Sequence, residues 1–512
     1  MVRSRAVSVV AGVSGAATQG MSVVAGGDSI HADLLGQLGG LLADVAVQLG
    51  GDAKDRVHAL GRRSLQPLRI AVVGRTNAGK STLVNALIGA QVAPTRSTEC
   101  TRVITWYRYG AKQARVIRRD GTSVPVYTGP QGELPDELGV PPEEIERLEV
   151  SLSHAPLRQV IMIDTPGLSG DDGLADQTER LLASGEVDVM LFVFGEVVHA
   201  DEAKIVNDFR AKYRFAFDFP NAMGVLSRAD QYGDGDDPWP IAVTTATRHA
   251  SDLADGLAGV LPVMGKIAET TETGAFDETQ AGSIRALAAL DEDDLATALL
   301  WVGAFEAIDS LPPGAARVLL DRLDLFGIRV LAESTGPATS AATMYDRLRS
   351  VSGIAALWRR IEVLYVRPAA VLKATLVLAE LERLIATADL AKPQRQQVRQ
   401  RIRTLRDHPA MHALTELRCL AALYSGQCVL PDIHTSRTAL NLWEETEPAA
   451  RLGAPAVTPR EDLARMALEA SRWWRAYANT ASSALVRQVA DTAHWSTYLL
   501  GTELRGDHDR AG

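Results

Sequence analysis

The run Gly74-Arg75-Thr76-Asn77-Ala78-Gly79-Lys80-Ser81 leaves this chain the fewest choices of fold, because its spacing is G-x-x-x-x-G-K-S. An apolar segment, Leu68 to Val73, precedes it and reads as a buried strand; Thr82 to Ile88 follows and reads as a helix. A strand, a glycine turn and a helix in that order make a cradle for an anion. The glycines let backbone N–H groups face phosphate without an intervening Cβ, and the free N–H groups of the helix start point the same way. Gly74, Asn77, Ala78, Gly79, Lys80, Ser81 and Thr82 are therefore expected to hold nucleotide phosphates. Lys80 adds a point charge at the β- and γ-phosphates, and Ser81 offers a hydroxyl to Mg²⁺.

The chain downstream supplies matching parts. The polar loop from Gln91 to Arg102 lies between the first helix and a strand, Val103 to Tyr107. A threonine in such a loop is the expected second Mg²⁺ ligand; Thr101 is the first choice and Thr98 the second. The apolar run Val160 to Ile163 ends in Asp164-Thr165-Pro166-Gly167. Asp164 at a strand end can hold Mg²⁺ through water, and Gly167 can give its N–H to the γ-phosphate. The strand Ala222 to Leu226 ends in Ser227-Arg228-Ala229-Asp230. The Asp230 carboxylate can accept from guanine N1 and N2, a donor pair adenine lacks, so it would select GTP over ATP; Arg228 can lay its aliphatic stem along the base. A sixth strand, Val260 to Met264, is expected to bring backbone around Met264 to Lys266 to the base. A hairpin is expected around Asp120-Gly121.

The rest of the text is mostly helical. At 512 residues the prior is two or three domains, and a net charge of −10 argues against a general nucleic-acid binder, DNA included. The three cysteines, Cys100, Cys419 and Cys428, match no metal spacing and suit a reducing cytosol. No run approaches the roughly 18 apolar residues that span a bilayer. Residues 1–27, rich in Gly, Ala, Ser and Val, read as disordered; Met21 is an alternative start, and a signal peptide is not expected. Leu34, Leu38, Leu41, Val45 and Leu49 mark one helix from Ser29 to about Leu60. Thr458, Pro459 and Glu461 read as the capped start of a helix that, unbroken to Leu500, would run roughly 60 Å at 1.5 Å per residue. The helix at 29–60 is its natural partner. Arg395, Arg399, Arg403 and Arg406 form a basic stripe that reads first as a solvated face and second as a surface for anionic lipid or for a partner's carboxylates. The segment from about Ser425 to Val457 reads as a loop presenting Leu430, Leu440, Leu442 and Trp443. The expected fold is thus α/β: a P-loop GTPase domain (65–367) with a mostly parallel sheet, plus an elongated α-helical bundle formed by both chain termini (28–64 and 368–512).

These motifs in register resemble the translation-factor-like GTPases. The long gap between Thr101 and Asp164, the leading helix and the helical C-terminus resemble the bacterial dynamin-like proteins. Thr98-Glu-Cys-Thr101-Arg102-Val-Ile-Thr105-Trp106 is similar to the switch region of the mycobacterial isoniazid-inducible group, in particular its shorter member. The resemblance implies GTP hydrolysis, nucleotide-dependent association with itself or with a related dynamin-like protein, and peripheral membrane contact from the cytoplasm, at the inner face of the plasma membrane. Arg228 departs from the usual Lys, and neither a pleckstrin-like module nor a strongly apolar paddle is evident. Leu168 stands where a water-orienting Gln would follow Gly167. Catalysis is therefore assigned to Lys80 and Thr101 together with either Arg75 or K⁺ held at Asn77, as the similar Asn does in cation-stimulated GTPases. Two other functions fit the same phosphate loop: an RNA- or ribosome-associated assembly GTPase, and a non-hydrolysing nucleotide-dependent scaffold.

Overall fold

In the computed structural model the described residues are 25–94, 102–129, 133–135, 137–168, 174–233 and 237–506. The N-terminal stretch up to residue 24, Thr98, Cys100 and Thr101 lie outside them. Leu34, Leu38, Leu41 and Val45 carry one buried stripe along α1 (Ala25–Gln48). The pair Gly50-Gly51 then breaks the helix, with Gly51 at φ 56, and α2 (Gly51–Leu65) folds back. The single helix expected over 29–60 is therefore a hairpin, because two adjacent glycines remove the propensity that would carry a helix through.

A sheet follows, with nine strands among the described residues: β1 (Leu68–Gly74), β2 (Thr105–Tyr109), β3 (Gln113–Arg118), β4 (Ser123–Val126), β5 (Ile145–Leu152), β6 (Val160–Asp164), β7 (Val189–Phe194), β8 (Ala222–Ser227) and β9 (Val260–Val263). Their order is β4-β3-β5-β2-β6-β1-β7-β8-β9. From β6 to β9 neighbours are parallel. These strands read as unbroken apolar runs because helices cover both faces. At the other edge β2 runs antiparallel to β6, and β3–β4 is the expected hairpin, turning at Gly121 with φ 83. The covering and flanking helices are α3 (Lys80–Ile88), α4 (Leu174–Ser184), α5 (Ala200–Tyr213), α6 (Trp239–Asp252), α7 (Gly265–Glu272), α8 (Glu278–Leu287), α9 (Glu292–Ala298), α10 (Val302–Glu306), α11 (Ala315–Ser334), α12 (Ala341–Val351) and α13 (Ile354–Ile361).

The C-terminal helices are α14 (Ala369–Thr387), α15 (Lys392–Arg406), α16 (His412–Tyr424), α17 (Ile433–Glu444), α18 (Pro448–Arg451), α19 (Arg460–Thr480) and α20 (Ala484–Arg505). Both ends of the chain contribute helices, but to different cores. α1 and α2 bury Leu34, Leu38, Leu41 and Val57 against Val377, Leu381, Val398 and Ile402 of α14 and α15. Leu442, Trp474, Ala478 and Val489 join the larger core that includes the sheet. The long terminal helix stops at Thr480 and reverses through residues 481–483, where the Ser483 hydroxyl accepts from Val486 N at 3.1 Å. Its two halves pair with each other: the Ser471 hydroxyl lies 2.8 Å from His494 Nδ1, and Arg460 Nε donates to Leu504 O at 2.8 Å.

Four further expectations are corrected. The residue at the cap of α19 is Pro459, and Thr458 instead donates its hydroxyl to Pro455 O. The segment read as a loop contains α17 and α18; Leu430, Leu442 and Trp443 are buried, with Trp443 Nε1 donating to Ser496 Oγ at 3.1 Å. Ile30–Gln48 is, by length and composition, apolar enough to cross a membrane. Its leucines nonetheless pack on α14 and α15, and Asp44 pairs with Arg401 at 2.6 Å. The arginine stripe is only partly solvated: Arg395 donates to Ile385 O and Ala388 O at the end of α14, and Arg406 pairs with Glu382.

α14 also meets the base of the sheet. The buried Lys373 ammonium donates to the carbonyls of Arg63, Gln66 and Pro67, the end of α2 and its link to β1. Beside it Asp188 accepts from Arg63 Nη2 at 2.7 Å and from Arg69 N at 2.9 Å.

Candidate nucleotide site

Gly74 closes β1 where the sheet is tightest. A Cβ there would lie 3.1 Å from the Val193 carbonyl carbon and closer still to its oxygen, so no other residue fits. Asn77 (φ 62) and Gly79 (φ 90) then turn the chain through the left-handed region into α3. Gly79 caps that helix with no side chain, which leaves the first N–H groups of α3 facing outward into the cradle. Lys80 is buried and donates to Arg75 O at 2.9 Å; burial lowers its pKa, opposed by the charge of Asp164. Ala78 N bonds Arg75 O at 3.2 Å and closes the loop on itself.

β6 lies beside β1 and delivers Asp164 to this loop, with Val72 in register with it. Ser81 Oγ donates to Asp164 Oδ2 at 2.9 Å. Burial pushes the Asp164 carboxyl up to about 6, while Lys80 and the Ser81 hydrogen bond pull it back. Among the described residues Asp164 Oδ1 is buried with no hydrogen-bond partner. An unpaired buried oxygen costs about 1–3 kcal/mol. A buried carboxylate beside a hydroxyl on a helix N-terminus is the donor set of a hard divalent cation, so these residues fit Mg²⁺. Thr165 Oγ1 donates to Val72 O at 2.9 Å, and Leu168 N donates to Gly74 O at 3.1 Å. Gly167 is pressed onto the phosphate loop: a Cβ there would lie 2.6 Å from Thr76 N. Leu168 is buried in the main core.

β8 brings the other end. Ser227 Oγ donates to Phe194 O at 3.0 Å. Arg228 takes a left-handed conformation (φ 54) and donates from Nη2 to Asn77 O at 2.7 Å, so the residue standing in for Lys ties the base side to the phosphate side. Asp230 sits half-buried in the next turn, its carboxyl pushed up by burial. Ser227 is in register with Val263, so the loop of Arg228 to Asp230 lies beside that of Met264 to Lys266.

The structure therefore gathers Gly74, Arg75, Asn77, Ala78, Gly79, Lys80, Ser81, Thr82, Asp164, Gly167, Ser227, Arg228 and Asp230 along the C-terminal ends of β1, β6 and β8. Arg75 reaches Asp201 at 3.4 Å, an exposed pair that leaves it available. Sequence reasoning missed that partner, and it missed Asp324, which holds Lys266 at 3.0 Å from within α11. Neither is signalled by spacing, since each lies far from its partner in the chain.

A phosphate loop after β1, an aspartate ending the adjacent β6 and a second after β8, on one edge of a parallel sheet, define a P-loop GTPase domain. A sequence model of the family described as 50S ribosome-binding GTPase matches residues 69–216. Over 441 residues the chain is 32% identical to the isoniazid-induced protein IniC of two Mycobacterium tuberculosis strains, covering 83% of this chain and 88% of the relative. The chain belongs to the family of IniC, the isoniazid-inducible group its motifs resemble. Among solved structures it is similar to a member of an oligomerised bacterial dynamin pair described as sensing and tethering membranes (13% identity, TM-score 0.33, 96% of this chain and 78% of that one). It is also similar to the G domain of the Thermotoga maritima FeoB iron transporter (14%, TM-score 0.21, 39% and 89%).

Proposed function

We propose that this protein is a dynamin-like GTPase that binds GTP with Mg²⁺, hydrolyses it, and couples the cycle to self-association, or to pairing with a related protein, at the cytoplasmic face of the plasma membrane. The observation that supports this reading is Asp164, a buried carboxylate with one oxygen on Ser81 and the other without a partner among the described residues. Bound there, the cation neutralises charge on the β- and γ-phosphates. Ser81 and, through water, Asp164 would hold that cation, with Thr101 as the proposed second direct ligand. Lys80 leaves Arg75 O to meet phosphate, Gly167 N–H faces the γ-phosphate, and Asp230 reads the base. Leu168 is buried and has no polar group for water, so the remaining charge comes from Arg75 or from K⁺ at Asn77. Residues 65–367 act as the nucleotide unit; 28–64 and 368–512 act as the helical unit that relays its state.

The membrane part of this reading rests on kinship with the isoniazid-inducible group and on the motif from Thr98 to Trp106. The test is steady-state GTP turnover with and without anionic liposomes, Lys80→Ala serving as the blank. Turnover that rises with liposomes and vanishes in the variant supports the reading. Turnover indifferent to liposomes but raised by ribosomal particles selects an RNA- or ribosome-associated GTPase, which the family match of residues 69–216 favours and the charge of −10 opposes. Absence of single-turnover hydrolysis leaves a nucleotide-dependent scaffold.

A further inference from the structure

Two cations flank the Asp230 carboxylate. Arg228 is two residues before it, and Lys266 is the second residue of α7, just beyond the strand end that the register of Ser227 with Val263 places alongside. Burial and the nearby Asp324 charge push the Asp230 carboxyl up, and the charges of Lys266 and Arg228 are close enough to pull it back, so either could pair with it. Neither does. Arg228 donates to Asn77 O at 2.7 Å. Lys266 Nζ donates to Asp324 Oδ2 at 3.0 Å and approaches Leu320 O at 3.5 Å. Among the described residues no side-chain donor reaches the Asp230 carboxylate.

The residue that holds Lys266 is unusual. Asp324 has φ 56 and ψ 176 inside α11, where two helical stretches meet at a kink. That backbone region is open to glycine and closed to nearly everything else, so a residue kept there with a side chain is a functional candidate. Its Oδ1 accepts from Leu325 N at 3.0 Å, which fixes the carboxylate and leaves Oδ2 for the ammonium. The kink is braced from α7 by a second bond, Thr270 Oγ1 to Arg322 O at 2.7 Å.

We propose that Asp324 is a positioning residue of the base pocket: by holding the Lys266 ammonium it keeps that cation off Asp230, so the Asp230 carboxylate stays open to N1–H and N2–H of guanine. The proposal rests on the GTP reading above and adds to it a device for selectivity that acts through a competing cation.

The test uses the full chain and compares affinities for GDP, IDP and ADP. IDP lacks the 2-amino group, so the ratio of GDP to IDP affinity reports whether the second oxygen of Asp230 is free. In Asp324→Asn the ammonium loses its partner and turns to Asp230, and the ratio is expected to fall about tenfold. In Asp324→Asn/Lys266→Ala the competitor is gone, and the ratio returns to within about threefold of wild type. Asp324→Gly, which suits the backbone, repeats the loss should the Asn variant fold poorly. A merely structural role for Asp324 weakens GDP and IDP together and is not restored by Lys266→Ala; that pattern, or an unchanged ratio, overturns the proposal. Wild-type protein with no preference for GDP over ADP overturns the GTP reading itself and this proposal with it.

Discussion

Gly167→Ala tests whether the loop after β6 senses the phosphate loop by direct contact. An added Cβ would run into the Thr76 hydroxyl and would sit 2.6 Å from Thr76 N and 2.7 Å from Thr76 Cα, against 3.4 Å for ordinary contact. The hydroxyl is side chain but the other two obstacles are backbone, so even without it the loop itself must retreat by about 1 Å. The bond from Leu168 N to Gly74 O, 3.1 Å long, is the first casualty, at a cost of about 1 kcal/mol. Stability therefore changes little. Geometry changes more, because a misplacement of about 1 Å at a reacting centre costs on the order of 100-fold in rate. The expected result is turnover reduced about 100-fold, with GDP affinity within about fivefold of wild type, since Lys80, Ser81 and Asp230 stay where they are. Stopped-flow nucleotide binding and steady-state phosphate release separate the two quantities. Adding Thr76→Gly removes only the side chain and is expected to rescue nothing. Turnover within threefold of wild type, or rescue by that second change, would refute the reasoning.

Three shorter predictions follow. Burial lowers the Lys373 ammonium from 10.5 to about 8. A base lowered in the folded state carries its full penalty below about pH 8, and the penalty lifts as pH climbs toward the unfolded value. Relative to Lys373→Met, wild-type protein should therefore gain roughly 2 kcal/mol of unfolding free energy between about pH 7.5 and 9.5; parallel urea-denaturation series at the two pH values would count against it. Arg228→Ala removes the tie to Asn77 O. Release of GDP should then quicken about tenfold, and Arg228→Lys should recover part of that; an unchanged release rate sinks the role. If Asn77 holds a cation, GTP turnover in K⁺ should exceed that in Na⁺ several-fold and lose the difference in Asn77→Ala; equal rates leave Arg75 as the source of charge.

What could be read from the sequence was what depends on backbone identity at short range. The cradle was legible because Gly74 and Gly79 are required by one close approach and one positive φ, both set within a few residues. Asp164 and Asp230 were legible because an apolar strand running into a polar turn marks the C-terminal edge of a parallel sheet. The helices gave only a period, and a period does not say where a helix breaks or what it packs on. Gly50-Gly51 was visible, yet two glycines serve close packing as readily as a turn. Residues 481–483, Ala-Ser-Ser, carry no breaker at all. The reversal there is favoured by what it lets α19 and α20 bury: Ala467, Ser471 and Trp474 opposite Val489, Ala493 and Ser496, with Gly501 pressed so close to Leu468 that a Cβ would lie 2.8 Å away. Asp324 interrupts α11 without interrupting its apolar repeat, so the positive φ that singles it out leaves no mark on the sequence pattern. Lys373 is the extreme case. A lone lysine in the apolar face of α14 reads as a defect of the pattern. Its acceptors are carbonyls of residues 63, 66 and 67, more than 300 positions away, so the group that seats the helical bundle on the base of the sheet is defined only by the folded chain.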